Sequence, residues 1–571
     1  MNSISAHPGG ERPDKPWLAT YPAIVPAELP ALEYESLAEL LEKSCARYAD
    51  RIAFSSMGKT LTYRQLESQT RKVAAWLQAI GLQKGDRVAV MMPNVLQNPI
   101  AVYGILRAGL VVVNVNPLYT PRELEHQLRD AGAKAIFVLE NFAHTVQQVL
   151  GHTDVRHVVV TSLGEMLGAK GLIVNLLVRK VKKLVPTWSI PRHKTFKQVL
   201  GEGDGATLKP SGLVGSDIAF LQYTGGTTGI AKGAVLTHKN LLSNKLQLEL
   251  WLKSAFEKRQ RPDVLNFLCA LPLYHIFALT VNSLMGMSLG AHNILVANPR
   301  DIPALVREFA KSNVHVFPGL NTLFNALMNN PEFAKVDFSS LVISLGGGMA
   351  VQRPVAERWL TITGNHITEG YGLSETSPVA TANRFDSPEF TGAIGLPISS
   401  TDLDIRNEDG ASLPLGEVGE ICIRGPQVMA GYWNKPDETA RAMTPDGYFR
   451  TGDMGFMDAR GYTKIVDRKK DMILVSGFNV YPNEVEGVVA ECPGVLEVAA
   501  VGVPDQHSGE VVKLFVVKKD PALSEADVIA FCKDRLTGYK RPKYVEFRTE
   551  LPKTNVGKIL RRELRDSRKA A

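Results

Sequence analysis

Ile218-Ala219-Phe220-Leu221-Gln222-Tyr223-Thr224-Gly225-Gly226-Thr227-Thr228-Gly229-Ile230-Ala231-Lys232-Gly233-Ala234 joins an apolar run to a turn crowded with glycine and threonine. The apolar run predicts a buried strand, and the glycines that follow predict a turn. Such a turn lets backbone N–H groups converge on an anion. The threonine hydroxyls add donors and Lys232 adds a mobile positive charge, a combination that suits a polyphosphate. The pattern is not the Walker loop, which needs Gly directly before the Lys and Ser or Thr after it. Lys232 stands between Ala231 and Gly233. The strand before the turn favours a phosphate cradle of another type over a Gly/Thr linker.

Outward from this turn, strand and helix patterns alternate. Towards the N-terminus, the helix-like stretches 63–79, 95–107 and 121–131 lead into apolar runs at 86–92, 110–115 and 133–139. The rhythm returns over residues 217–370, with buried strands expected at 314–317, 341–345 and 366–369. Buried strands alternating with helices predict doubly wound α/β layers. Between 387 and 424 the strands shorten and the turns thicken, which predicts a small antiparallel or barrel-like β unit. A charged linker, Asp467-Arg468-Lys469-Lys470-Asp471, precedes a last unit of helices and strands, expected to be a small mobile α+β domain. The expected division is an N-terminal arm at 1–35, a large domain at 36–469 and a C-terminal domain at 470–571.

The bulk numbers exclude several classes. A chain of 571 residues affords more than one domain. Sixty-five basic against 58 acidic residues leave +7, a mild excess that fits anionic ligands or an anionic membrane surface. No basic stripe interleaved with aromatics argues for nucleic acid. The five cysteines are dispersed with no CxxC pair, as in reduced structural thiols of a cytosolic protein, so metal ligation by cysteine is not expected. The first ten residues lack a signal-peptide pattern, and no apolar run reaches the roughly 18 residues of a spanning helix. Residues 170–197 are distinctive: Leu172, Ile173, Leu176, Leu177, Leu184 and Trp188 lie beside Arg179, Lys180, Lys182 and Lys183. This pattern fits an interfacial membrane element with an aromatic anchor, or equally a packed surface helix or a dimer contact.

Four further motifs follow in order: Leu271-Pro272-Leu273-Tyr274-His275; Gly370-Tyr371-Gly372-Leu373-Ser374-Glu375-Thr376; Tyr448-Phe449-Arg450-Thr451-Gly452-Asp453 with the charged linker; and Pro552-Lys553-Thr554-Asn555-Val556-Gly557-Lys558. With the glycine-rich turn, this ordered set resembles the acyl-adenylate-forming enzymes, a family that includes acyl-CoA synthetases, adenylation domains of peptide synthetases and beetle luciferases. The resemblance covers roughly residues 36–565. Within the family, residues 451–486 are similar to the signature of bacterial long-chain fatty acyl-CoA ligases.

The resemblance implies a two-step, ATP-dependent activation of a fatty acid to its coenzyme A thioester through an acyl-AMP, serving fatty-acid degradation. It implies that Tyr223, Thr224, Gly225, Gly226, Thr227, Thr228, Gly229 and Lys232 hold the β- and γ-phosphates. Thr224 and Glu375 are then the Mg²⁺ contacts. Tyr371, between Gly370 and Gly372, would stack on adenine, with Gly346, Gly347 and Gly348 letting the backbone approach the base. Asp453 and Arg468 would hold the ribose. His275 would line the carboxylate end of the acyl channel, and Leu279 falls where some relatives place a tryptophan gate. Lys558 would bridge carboxylate and α-phosphate, Lys470 would be the hinge, and Gly477 would border the coenzyme A tunnel once the small domain has rotated. By residue type alone, Glu375 also reads as a cap or ion-pair partner, Asp453 as a turn residue, His275 as structural and Lys558 as a solvated tail lysine. A medium-chain or aryl-CoA ligase and a fatty acyl-AMP ligase remain alternatives. The resemblance further implies a cytoplasmic protein peripheral to the membrane, and relatives suggest a homodimer.

Overall fold

A computed structural model describes residues 15–224, 231–387, 389–554 and 557–566. The strand Ile218–Thr224 does form, fully within a sheet of seven. The order across that sheet is Lys194–Thr195, His157–Thr161, Ala133–Leu139, Arg87–Met91, Val111–Asn114, Ile218–Thr224, Lys232–Thr237. All neighbours are parallel except the last pair. There the chain returns antiparallel, with Thr224 opposite Lys232. The turn itself, residues 225–230, lies outside the described residues.

A second sheet of nine strands runs Leu396–Pro397, Val379–Ala382, Ile367–Gly372, Ile343–Gly346, Val316–Gly319, Asn266–Cys269, His292–Leu295, Ile52–Ser56, Lys59–Thr62. One apolar core is continuous through both sheets and the helices packed on them. The helix Gln97–Arg107 is buried at every position, which accounts for its near-continuous apolar reading. Helix starts follow local chemistry. Thr62 with Gln65, Thr120 with Glu123, Thr195 with Gln198 and Thr237 with Asn240 each form a reciprocal capping box.

The expected barrel-like unit is an open four-stranded antiparallel meander, Asp402–Arg406, Gly419–Arg424, Phe449–Met457 and Thr463–Arg468. Among the described residues its first and last strands do not pair. Closure is unnecessary because Leu403, Ile405, Ile421, Ile423 and Phe449 bury their face on the large core. The C-terminal unit is α+β, with five strands led by the long pair Val495–Asp505 and Gly509–Lys518, the helices Pro482–Ala490 and Glu525–Lys533, and cores of its own. The N-terminal segment is more than a surface arm, since Trp17 and Val25 are buried in the main core.

Residues 170–197 contain the helix Ala169–Leu176, continued by the wider turn Leu177–Val181. Two side chains expected to face a membrane are engaged elsewhere. Arg179 forms a bidentate pair with the buried Glu140 (2.7 Å), and Trp188 packs edge-on against His193 and onto the core of the first sheet. Among the described residues, no helix is long and apolar enough to cross a membrane.

Candidate active site

The ends of both sheets, the open meander and the C-terminal unit surround one cleft of about 2950 Å³. Of the site positions named from the sequence that are described, all but Gly477 and Leu279 line it. Residues 225–229 fall outside the description.

At the end of the strand Ile218–Thr224, the Tyr223 hydroxyl donates to Asp130 Oδ2 (2.6 Å), and burial together with that carboxylate raises its pKa far out of the physiological range. Lys232 reaches Glu438 Oε2 (2.9 Å) and lies 4.5 Å above the Tyr432 ring. Tyr432 in turn donates to Glu375 Oε1 (2.8 Å). The buried Glu375 carboxyl is pushed above its ordinary range by desolvation, and the Tyr432 hydrogen bond opposes this. Among the described residues no cation forms an ion pair with Glu375. A buried carboxylate so placed, in a cleft that the Thr224 side chain also lines, offers hard oxygen ligands of the kind Mg²⁺ prefers when phosphates complete its shell. No group of three or more His, Cys, Asp or Glu forms a self-sufficient metal cage among the described residues.

A second wall of the cleft is built where the strands Ile343–Gly346 and Ile367–Gly372 end side by side. Gly348 has φ 75°, a backbone region that suits glycine. A Cβ on Gly347 would stand 3.0 Å from the Phe277 ring, and one on Gly372 would stand 1.8 Å from the Pro378 carbonyl oxygen. These two positions are therefore glycine for packing reasons, whatever they bind. Tyr371 donates its hydroxyl to Asp453 Oδ2 (2.6 Å), and Arg468 Nε lies 3.3 Å from Asp453 Oδ1. Asp453 and Arg468 are cross-strand partners in the meander, so the sheet register sets this pair.

His275 caps the short helix Ile276–Ala278, its Nδ1 accepting from the Phe277 N–H (3.3 Å). Burial first, and then the charge of Lys558, lowers its pKa to about 4. The ring is neutral at pH 7, and because Nδ1 accepts, the proton sits on Nε2. Lys558 enters the same cleft. Its pKa falls to about 7, mainly through desolvation and next through Arg468, with Asp453 opposing. Its loop is anchored: Thr554 N donates to the Lys558 carbonyl (2.7 Å), and the Thr322 hydroxyl donates to the Gly557 carbonyl (3.2 Å). The reading of Lys558 as a solvated tail residue fails on this placement. Lys470 also lines the cleft, half-buried, with a pKa lowered by desolvation. Beyond His275 the lining turns apolar, through Leu248, Phe277, Val379, Ala382, Phe385 and Ile394.

Two positions named from the sequence lie outside the cleft in this arrangement. Gly477 sits at an exposed hairpin tip with φ 84°, away from the cleft. Leu279 is buried in the core and does not line the cleft; Phe277 does. The sequence reading also missed Glu369, Tyr432 and Glu438. Glu369, in the cleft wall, accepts from Val351 N (3.1 Å), and burial pushes its pKa up to about 7. A carboxylate at the end of the strand expected to be buried at 366–369 was the available signal. Tyr432 and Glu438 lie about two hundred residues from Lys232 and carried none.

The profile of the AMP-binding enzyme family matches residues 41–433, and that of the AMP-binding enzyme C-terminal domain matches residues 484–558. The chain belongs to the AMP-binding enzyme family. It is 55% identical to the long-chain-fatty-acid–CoA ligase of Escherichia coli O6:H1 over 97% of this chain and 98% of that one. The corresponding ligase of Bacillus subtilis is 42% identical, over 96% and 97%. Among solved structures, the anthranilate CoA ligase AuaEII in complex with anthranoyl-AMP aligns with a TM-score of 0.82 at 26% identity, over 94% of this chain and 98% of that one. A benzoate CoA ligase from Burkholderia xenovorans LB400 aligns at 0.79 and 28%, over 93% and 100%.

Proposed function

We propose that this enzyme converts long-chain fatty acids to acyl-CoA. A carboxylate oxygen attacks the α-phosphorus of ATP and the bond to pyrophosphate breaks. The coenzyme A sulfur then attacks the acyl carbonyl, its proton is lost, and the carbon–oxygen bond to AMP breaks. One observation carries the reading. A polar wall bearing Glu375, Asp453 and Arg468 meets an apolar end at His275 and Lys558, in a chain 55% identical over 97% of its length to a long-chain ligase.

Lys558, protonated, lies between carboxylate and α-phosphate and offsets the negative charge gathering there. Its low pKa makes it responsive to the charge of bound substrates. Neutral His275 offers Nε2–H at the mouth of the apolar end. The hairpin turn and Lys232 hold the β- and γ-phosphates, Tyr371 and the glycine strand end hold the base, and Asp453 and Arg468 hold the ribose. Lys232 then exchanges Glu438 for phosphate. Thr224 and Glu375 would hold Mg²⁺, which would supply positive charge to the phosphates when bound. Catalysis of this kind is positioning and charge neutralisation rather than nucleophilic attack by the protein.

The division at 469/470 fits a second arrangement. Rotation of the C-terminal unit about Lys470 withdraws Lys558 and brings Gly477 to the cleft for coenzyme A. We place the enzyme in the cytoplasm, peripheral to the membrane that holds its substrate, and a homodimer is compatible with this. Incubation with ATP, Mg²⁺, coenzyme A and acids from acetate to oleate tests the reading, with AMP, pyrophosphate and acyl-CoA followed together. Coenzyme A-dependent AMP release that peaks at long chains is expected. A peak at medium-chain or aromatic acids overturns the substrate class. Acyl-AMP accumulation with no acyl-CoA points to a fatty acyl-AMP ligase with a different thiol acceptor.

A further inference from the structure

Six of the sixteen large exposed apolar side chains among the described residues fall within thirteen consecutive positions: Leu172, Ile173, Leu176, Leu177, Val181 and Leu184. Leu172 is 76% exposed and Val181 67%. The helical periodicity explains the inner face. Gly171, Val174 and Val178 point inward, and the two valines form a satellite core with Leu167. It does not explain the outer face. A helix apolar on all sides is ordinarily covered on all sides, yet here half of it meets solvent.

The segment is also firmly held, so its exposure is not that of a frayed loop. Gly171 and Gly164 are in backbone contact so close that a Cβ on Gly171 would stand 1.8 Å from the Gly164 oxygen. Asn175 accepts from Gly164 N (2.8 Å) and donates to Ser162 Oγ (3.0 Å). Lys170 reaches the Met57 carbonyl (2.6 Å), and Arg179 is clamped on Glu140. Lys180, Lys182 and Lys183 are exposed, and among the described residues none forms an ion pair. A rigid apolar ridge rimmed by three unpaired lysines complements a surface that is apolar inside and anionic outside.

We propose that this ridge, residues 172–184, docks the enzyme onto an anionic lipid bilayer, with the leucines, Ile173 and Val181 entering the acyl boundary and the three lysines meeting lipid phosphates. Arg179 holds the element in place and does not read lipid. The proposal adds a docking element to the ligase reading and borrows from it only the benefit of meeting a substrate that partitions into bilayers. Docking is read without turnover.

Co-sedimentation of the full-length protein with phosphatidylglycerol/phosphatidylethanolamine vesicles, compared with phosphatidylcholine vesicles, tests it. Wild type should bind the anionic vesicles and weaken with salt. L172D/I173D/L176D should abolish binding to them. K180Q/K182Q/K183Q should lower affinity about fivefold per lysine. Both variants should keep wild-type turnover of a water-soluble acid. Wild type that stays in the supernatant at low salt overturns the proposal, as do variants that sediment like wild type. A wild-type dimer in sedimentation velocity that L172D/I173D/L176D converts to monomer also overturns it, and makes the ridge a contact between copies. Absent turnover with vesicle binding intact would sink the ligase reading alone.

Discussion

Lys558 concentrates the site's chemistry in one side chain. Its ammonium is desolvated and faces Arg468, so its pKa is about 7 in the free enzyme. Replacing it by Ala should slow acyl-AMP formation by about 10²–10³ and leave thioester formation from supplied acyl-AMP near wild type. Single-turnover measurement of each half-reaction checks this, and equal loss of both would remove the lysine from its proposed place. The sign of the pH effect follows: the charged form is lost as pH rises through 7. The kcat/KM for adenylation should therefore fall on an alkaline limb that begins near pH 7. Lys558→Arg, whose charge does not titrate, should move that limb upward. His275 titrates too low to contribute to that limb.

At the scale of elements, two packed helices carry measurable consequences. In the fully buried helix Gln97–Arg107, a Cβ on Gly104 would stand 2.5 Å from Val73 Cγ1 and 2.6 Å from Val73 Cβ. Ala gains about 1 kcal/mol of helix propensity over Gly, whereas forcing a methyl into a close-packed core costs about 1–3 kcal/mol. The clash should win, and Gly104→Ala should lower the thermal midpoint; a rise would show that the helices separate easily. His238, the first residue of the helix His238–Lys253, accepts at Nδ1 from Leu37 N (3.1 Å) and is buried. Desolvation lowers its pKa to about 4. The unfolded chain then binds the extra proton between about pH 6.5 and 4, so stability is full above pH 6.5 and declines as pH falls through that window. The loss is on the order of 3 kcal/mol. His238→Gln keeps an acceptor and should flatten this part of the pH–stability curve measured by chemical denaturation.

At the scale of the whole molecule, the C-terminal unit is held to the large unit beside the linker. Arg561 pairs with Glu486 Oε2 (2.7 Å) of its own unit and with Asp467 Oδ1 (3.3 Å) of the meander, and Asp467 Oδ2 accepts from Asn483 N (2.7 Å). Breaking a buried ion pair from one side strands the other charge, at about 3–5 kcal/mol. Arg561→Gln should therefore slow adenylation, for which Lys558 must be seated, more than thioester formation from acyl-AMP. The ratio of the two half-reaction rates reads this directly, and an unchanged ratio would make Arg561 purely structural.

The sequence alone determined the α/β layers, the buried strand before the glycine-rich turn and the separate C-terminal unit. Each depends on local periodicity and turn chemistry, written within a few tens of residues. The residues now gathered in the cleft were legible from motifs, each carrying its own local pattern. The open edge of the meander was not legible, because a strand pattern reports that a face is buried and not what buries it. Nor were the Glu438–Lys232 pair, the Tyr432–Glu375 bond or the capture of Arg179 by Glu140, since nothing near either partner signals the other. Only the tertiary structure decided these, and with them the pKa values of Lys558 and His275, because desolvation and charge at a point are set by whatever the fold places around it.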